Sequence, residues 1–361
     1  MEEKPPQKSK PQTAKKVGLA DIARRLGISK NAVSLGLRNS LSISEKTRKK
    51  IKSAAAEMGY VRNEMLSKIM SHAKSASGGF LETIALINAN KSRDAFKTHP
   101  TIPEYVEGIE RAAKREGFAI DKFWIYDDSL TEKSFMRILK SRGIKGGIIV
   151  GLMDDNRLPP KFKNIWNNFK FVVTGVRTYL PTFDFACADH FLIAYHATLE
   201  ALKRGYKRPA LVLDKKIENL IEGRFTGGFL KAQLSLKKEN RIDPFFNVSD
   251  AKRDLKIFYS WFEKNKPDVL ISLYNSPKAW LEKIGVFSPR DIGLISLERR
   301  KGEPEWAGMN QRNDLVGVAA VEKLSKLLMQ GSGEKSAITA TLISPEWVDG
   351  KTISRKKSAG L

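Results

Sequence analysis

Lys30, Asn31, Ser34 and Leu35, with Arg38 one turn further on, are the side chains of this 361-residue chain whose types and spacing point most directly to chemistry. An ammonium, a carboxamide, a hydroxyl and an apolar group share the outward face at the start of a short helical pattern. Side chains placed there reach base edges in the major groove of duplex DNA. No competing constellation supports catalysis. The four histidines, His72, His99, His190 and His196, are scattered, and Cys187 is the single cysteine. Even Asp189-His190 with His196 lacks metal-ligand spacing. There is no GxxxxGK[ST] run, no GxGxxG after a strand and no G-x-S-x-G elbow. Asp127-Asp128 and Asp154-Asp155 read as acids at loops or helix starts. The sequence therefore predicts no enzyme, no metal and no cofactor.

The elements that must position those side chains are legible. Leu19, Ile22, Ala23 and Leu26 recur at i, i+3, i+4 and i+7, which is one apolar stripe on a helix. Gly27 ends that helix, and Ser29 caps a second from Lys30 to about Leu37, with Ala32, Val33, Gly36 and Leu37 facing inward. A third helix starts at Ser44, carries Glu45 in its first turn, buries Ile51, Ala54, Ala55 and Met58, and stops at Gly59. It exposes Lys46, Arg48, Lys49, Lys50 and Lys52. Two helices joined by a short turn containing Gly form a helix-turn-helix, and the second helix reads the groove.

Charge agrees with a polyanionic partner. The net charge is +24, and residues 1–75 hold 17 Lys or Arg against 6 Asp or Glu. Residues 1–16, rich in Lys and Pro, read as a disordered basic arm able to add phosphate contacts. A single cysteine, no signal-peptide run and no apolar stretch of about 18 residues predict a cytoplasmic protein without membrane association. Beyond Asn63, the residues Glu64 to Met70 can form two helical turns with Leu66, Ile69 and Met70 on one side. Residues 71–79 read as a linker.

From residue 80 strands alternate with helices. Strand-like runs are Thr83–Ile87, Gly147–Val150, Phe171–Val173, Ala210–Leu213, Asp268–Ile271 and Ile292–Ile295. Helical patterns are Tyr105–Glu116, Thr131–Arg142, Phe191–Arg204, Phe225–Leu236 and Leu315–Met329. Such alternation implies parallel sheets covered on both faces, and about 270 residues is enough for two lobes. Ligands of such sheets sit beyond the carboxyl ends of the strands. Asn88 and Asn90, Met153 and Asp154, and Asn275 follow strands, and Asp189 lies where the chain passes to the second lobe. Trp280, Trp306 and Phe96 are candidates for stacking on a sugar ring.

These residues resemble the LacI/GalR transcriptional regulators. The resemblance rests on Val17-x-Leu19-x-Asp21-Ile22-Ala23, Gly27-x-Ser29, Ala32-Val33-Ser34, Ser44-x-x-Thr47-Arg48 and Met58-Gly59-Tyr60-x-x-Asn63, in register across about 47 residues. More loosely, 203–212 and 288–296 look like helix-to-strand and loop-to-strand junctions of the family's second lobe. Two positions depart: Leu35 stands where many members carry a base-contacting arginine, and Arg62 where a proline is usual. Direct base readout therefore falls to Lys30, Asn31 and Ser34.

The resemblance implies an α/β fold: an all-α helix-turn-helix headpiece plus a two-lobed, periplasmic-binding-protein-like core of doubly wound parallel sheets, with three crossing strands between lobes. It implies a hinge helix within 62–79 whose Ile69, one turn after Leu66, wedges into a minor-groove step. The expected DNA-facing set is Leu19, Ser29, Lys30, Asn31, Ser34, Leu35, Arg38, Asn63, Leu66 and Ile69. The expected effector set is Asn88, Asp154, Asp189, Arg224 and Asn275. Arg224, in Arg224-x-x-Gly227-Gly228-Phe229, resembles the family arginine that forks onto an effector, and Leu297-Glu298 stands where acids commonly close a cleft strand. The expected domains are the arm 1–16, headpiece 17–61, hinge and linker 62–79, core 80–350 and tail 351–361. Within the core, lobe 1 takes about 80–180 and 299–328, and lobe 2 takes 181–298 and 329–350. The resulting expectation is a homodimeric repressor of a carbohydrate-related operon, with double-stranded operator DNA and a sugar-like small molecule as partners. An architectural DNA-binding protein without effector and a cytoplasmic solute-binding module stand as alternatives.

Overall fold

The stripe of Leu19, Ile22, Ala23 and Leu26 forms α1 (Leu19–Leu26), which Gly27 ends in the left-handed conformation at φ 66, its N–H on the Ala23 carbonyl. Glycine takes that backbone without a β-carbon clash. The Ser29 hydroxyl then accepts the Ala32 amide at 3.1 Å and opens α2 (Lys30–Leu37). Ser44 accepts the Thr47 amide at 3.3 Å and opens α3 (Glu45–Glu57). Ile22, Ala23, Val33, Ile51, Ala54 and Ala55 form the buried centre of these three helices. Arg25 pairs with Glu57 at 2.5 Å and ties α1 to α3 at the surface.

The computed structural model describes residues 17–37, 43–60, 82–330 and 337–356, and the chain divides into two compact units. One contains the headpiece helices and the other the α/β core. The expected arm 1–16, the hinge and linker 62–79, and the readings placed on Arg38, Asn63, Leu66 and Ile69 lie outside the described residues.

The core begins with β1 (Glu82–Asn88), α4 (Ile102–Glu116), β2 (Phe118–Trp124), α5 (Glu132–Ser141), β3 (Gly146–Val150), β4 (Lys170–Thr174) and β5 (Asp184–Ala188). It continues with α6 (His190–Lys203), β6 (Pro209–Val212), α7 (Arg224–Gln233), α8 (Leu255–Asn265), β7 (Val269–Ser272), β8 (Gly293–Ser296) and β9 (Gly308–Asn310). It closes with α9 (Asn313–Met329), β10 (Ala340–Ile343) and β11 (Glu346–Val348). The first sheet has the order β10-β5-β4-β3-β1-β2 and is parallel throughout. The second has the order β11-β9-β8-β7-β6, with only β11 antiparallel.

Successive strand residues serve opposite cores. Ile84 and Leu86 of β1 face the cluster under α4 and α9, whereas Ala85 and Ile87 face the cluster that runs on into the second lobe. Burial on both faces makes these strands near-continuous apolar runs rather than alternating ones.

The lobe boundaries differ from the sequence expectation. β5 pairs with β4 through Val173 and Phe185, so residues 184–188 belong to the first lobe and the chain crosses at Asp189. β9 pairs with β8 through Gly308 and Ser296, so 308–310 belong to the second. β10 returns to pair with β5 through Ala340 and Phe185, so 340–343 belong to the first. The three crossings fall at 189, 311–312 and 344–345. Strand pairing sets them, and the return of β10 to β5, some 150 residues earlier in the chain, leaves no local signal.

Candidate nucleic-acid interface and inter-lobe cleft

Ser29, Lys30 and Asn31 are exposed at the amino end of α2, and Ser34 and Leu35, one turn on, are half-buried. Ser29 is committed to its cap on Ala32. Leu19, also assigned to the DNA face, is half-buried against the headpiece core, so its first role is packing. Lys46, Lys49, Lys50 and Lys52 are exposed along α3, with Lys49 paired to Glu45 at 3.1 Å. The positive end of the α2 dipole and the α3 lysines together suit a phosphate backbone.

In the core, the five expected effector residues do not converge on one point. Asn88, at the carboxyl end of β1, is buried. Its carboxamide closes its own loop, donating to the carbonyls of Ser92 and Arg93 at 3.0 Å and accepting the Asn90 amide at 2.9 Å. Asp189 caps α6, accepting the Leu192 amide at 3.1 Å. Asn275 is exposed and donates to Glu303 at 2.5 Å. Trp280 and Trp306 lie inside the core of the second lobe, which removes them as stacking platforms. Phe96 lines a cavity of about 620 Å³ with Arg93, Trp124 and Asn88, all from the first lobe.

Two of the five, Asp154 and Arg224, do meet the other lobe. Asp154 pairs with Lys216 from across the cleft and with Lys91 at 3.2 Å. The bond from Lys216 holds its carboxyl below the ordinary range, and the weaker effect of burial works against it. Arg224 places Nη1 3.4 Å from the Cys187 sulfur and Nη2 2.5 Å from Glu222. Burial pushes the Cys187 thiol up to about 11 despite that guanidinium.

The sequence reading missed the residues that span this flank. Glu222 accepts from Arg224 on Oε2 and from the Tyr179 hydroxyl on Oε1, and Oε1 also lies 3.0 Å from the Arg177 Nε as an ion pair. Asn156, buried, donates to the carbonyls of Leu220 at 2.9 Å and Arg177 at 2.6 Å. On the opposite flank Glu298 is buried and held by Arg300 at 3.0 Å and Asn313 at 3.1 Å. The His99 imidazole is pushed down by burial, with Glu298 raising it and Arg300 lowering it further. Lys301 reaches Glu107 of the first lobe at 3.5 Å. Only Glu298 carried a sequence signal, its resemblance to the acids that close a cleft strand; Asn156, Arg177, Tyr179 and Glu222 sit between the regular elements with no pattern. Among the described residues no His, Cys, Asp or Glu cluster could hold a metal, and no helix is long and apolar enough to cross a membrane.

Comparison with known proteins matches both units. Residues 18–63 match the bacterial regulatory proteins of the lacI family, and residues 84–276 match the periplasmic binding proteins and sugar binding domain of the LacI family. The HTH-type transcriptional regulator MalR of Streptococcus pneumoniae is 24% identical over 311 residues, covering 78% of this chain and 91% of that protein. The maltose regulon regulatory protein MalI of Escherichia coli is 27% identical over 297 residues, covering 81% and 79% respectively. A solved lac repressor dimer, bound to operator and the anti-inducer ONPF, shares the fold with a TM-score of 0.55 at 18% identity, covering 94% of this chain and 100% of that one.

Proposed function

Because this chain belongs to the LacI family of bacterial regulatory proteins, we propose that it is a ligand-responsive repressor of a carbohydrate-related operon, binding a palindromic operator as a homodimer in the cytoplasm. It is a DNA-binding transcription regulator, not an enzyme. One observation carries the reading: a single chain combines an exposed recognition-helix start, Lys30 and Asn31, with a polar cleft bridged from both lobes by the pairs Asp154–Lys216 and Arg177–Glu222.

Lys30, Asn31 and Ser34 supply base contacts, and the α3 lysines supply phosphate contacts. One such helix covers a half-site, so a two-fold dimer doubles the readout. Arg38, Asn63, Leu66 and Ile69 complete the DNA-facing set. The effector, a sugar or sugar derivative, lies between the lobes against Asp154, Arg224 and Asn275, with Asn88 and Asp189 shaping the loop and the helix start behind them. An effector that favours one lobe arrangement shifts the dimer geometry and with it operator affinity.

The test is a gel shift against the chain's own upstream intergenic DNA at about 150 mM salt, where non-specific phosphate binding is weak. Retention of that DNA over a scrambled control, altered by a mono- or disaccharide, is the expected result. Equal retention of both DNAs overturns the reading.

A further inference from the structure

The carboxylate of Glu222 occupies a place built for an anion. Arg177 of the first lobe and Arg224 of the second lie over the same Phe185 ring, with their guanidinium carbons 5.2 and 5.7 Å from its centre. Two guanidinium groups on an aromatic floor form a clamp for a carboxylate or phosphate, since each presents its donors in a plane. Glu222 fills it. Oε2 meets Arg224 at 2.5 Å and Oε1 meets Arg177 at 3.0 Å, and Tyr179 adds its hydroxyl to Oε1.

The backbone is bent to deliver this group. Glu222 stands at φ 60 and Gly223 at φ 76, and a residue with a β-carbon holds the left-handed region only where its surroundings impose it. The carboxylate is also a tethered competitor. Its local concentration is that of a group held by a short chain, so free anions in the millimolar range compete poorly.

We propose that Glu222 is an internal stand-in ligand of the Arg177–Arg224 clamp, which sets the charge selectivity of the cleft: uncharged polyols are admitted beside it, and carboxylate- or phosphate-bearing sugars are refused. This rests on the cleft being the effector site only for its consequence to effectors. The clamp is tested without DNA or effector, so a chain that failed to bind operator would overturn the proposed function and leave this result standing.

The experiment is calorimetry of the full-length protein with inorganic phosphate and with D-glucuronate, comparing wild type, Glu222→Gln, Glu222→Ala and the double variant Glu222→Ala/Arg224→Gln. Wild type gives no saturable heat up to about 10 mM, and the Glu222 variants bind at least one of the two anions about tenfold tighter or better, as removal of a tethered competitor requires. The double variant loses that gain. The Gln variant keeps the side-chain shape and an acceptor for Tyr179, so it reports even if the Ala variant does not fold. Wild type binding either anion as tightly as Glu222→Gln overturns the proposal, as does a gain that survives in the double variant.

Discussion

A β-carbon at Gly108 would stand 1.8 Å from the carbonyl oxygen of Asp314, so α4 and α9 touch backbone to backbone at this point. One turn of α9 further on, a β-carbon at Gly317 would stand 2.2 Å from the Tyr105 carbonyl oxygen. Neither neighbour is a side chain that can swing aside. Gly108→Ala must therefore push the two helices apart, loosening the contact of Val316, Ala320 and Leu324 with the first sheet. Overpacking of this kind costs about 1–3 kcal/mol or more. Urea denaturation of the core should show that loss, and an unchanged midpoint would remove the contact from consideration.

The headpiece yields a prediction with two separable readouts. Asn31 is exposed at the recognition-helix start, whereas Lys50 and Lys52 are exposed on α3. Asn31→Ala should cost about 1–3 kcal/mol on the correct operator and narrow the gap to mismatched sites. Lys50→Ala with Lys52→Ala should weaken binding to all sequences alike and flatten the salt dependence by about two in slope. Quantitative gel shifts over a salt series distinguish the two. Loss of sequence preference in the lysine double variant would show that the roles are misassigned.

His190 sets a pH dependence of stability. Its ring is buried edge-on against Phe225, its Nδ1 has no hydrogen-bond partner, and burial, assisted by Arg224, lowers its pKa from 6.5 to about 3. Below pH 6.5 the unfolded chain binds a proton that the folded chain refuses. The stability carried by the neutral ring is therefore complete above about pH 6.5 and is lost as the pH falls towards 3. Each unit in that window costs up to about 1.4 kcal/mol. Thermal melts between pH 7 and pH 4.5 should fall more steeply for wild type than for His190→Leu. Parallel curves would show that another group governs the acid limb.

Much of the fold was legible because its signals are local. The three headpiece helices announce themselves by an apolar stripe, Gly27, Ser29 and Ser44, all within a few residues of the elements they define. The six recognised strands are short apolar runs buried on both faces. β2 escaped notice because Asp121 and Lys122 interrupt Phe118–Trp124, as suits an edge strand with one side open. The site was less legible. Asn156 acts through the carbonyl of Leu220, 64 positions away, and Glu222 through Tyr179, 43 positions away. Such partners are chosen by the meeting of two lobes, and no spacing rule encodes that meeting. Asn88 closes β1 and Asp189 follows β5, yet both spend their side chains holding the local backbone.

The return of β10 to β5 has a consequence during synthesis. The first sheet lacks its last strand until residues 340–343 have emerged, long after Asp184–Ala188 left the ribosome. At roughly 5–20 residues per second that interval lasts roughly ten to thirty seconds. For that time β5 is an exposed edge in a half-built lobe, while the short-range contacts of α1, α2 and α3 let the headpiece finish early. A nascent chain can therefore present its DNA-reading end before its sensing end exists.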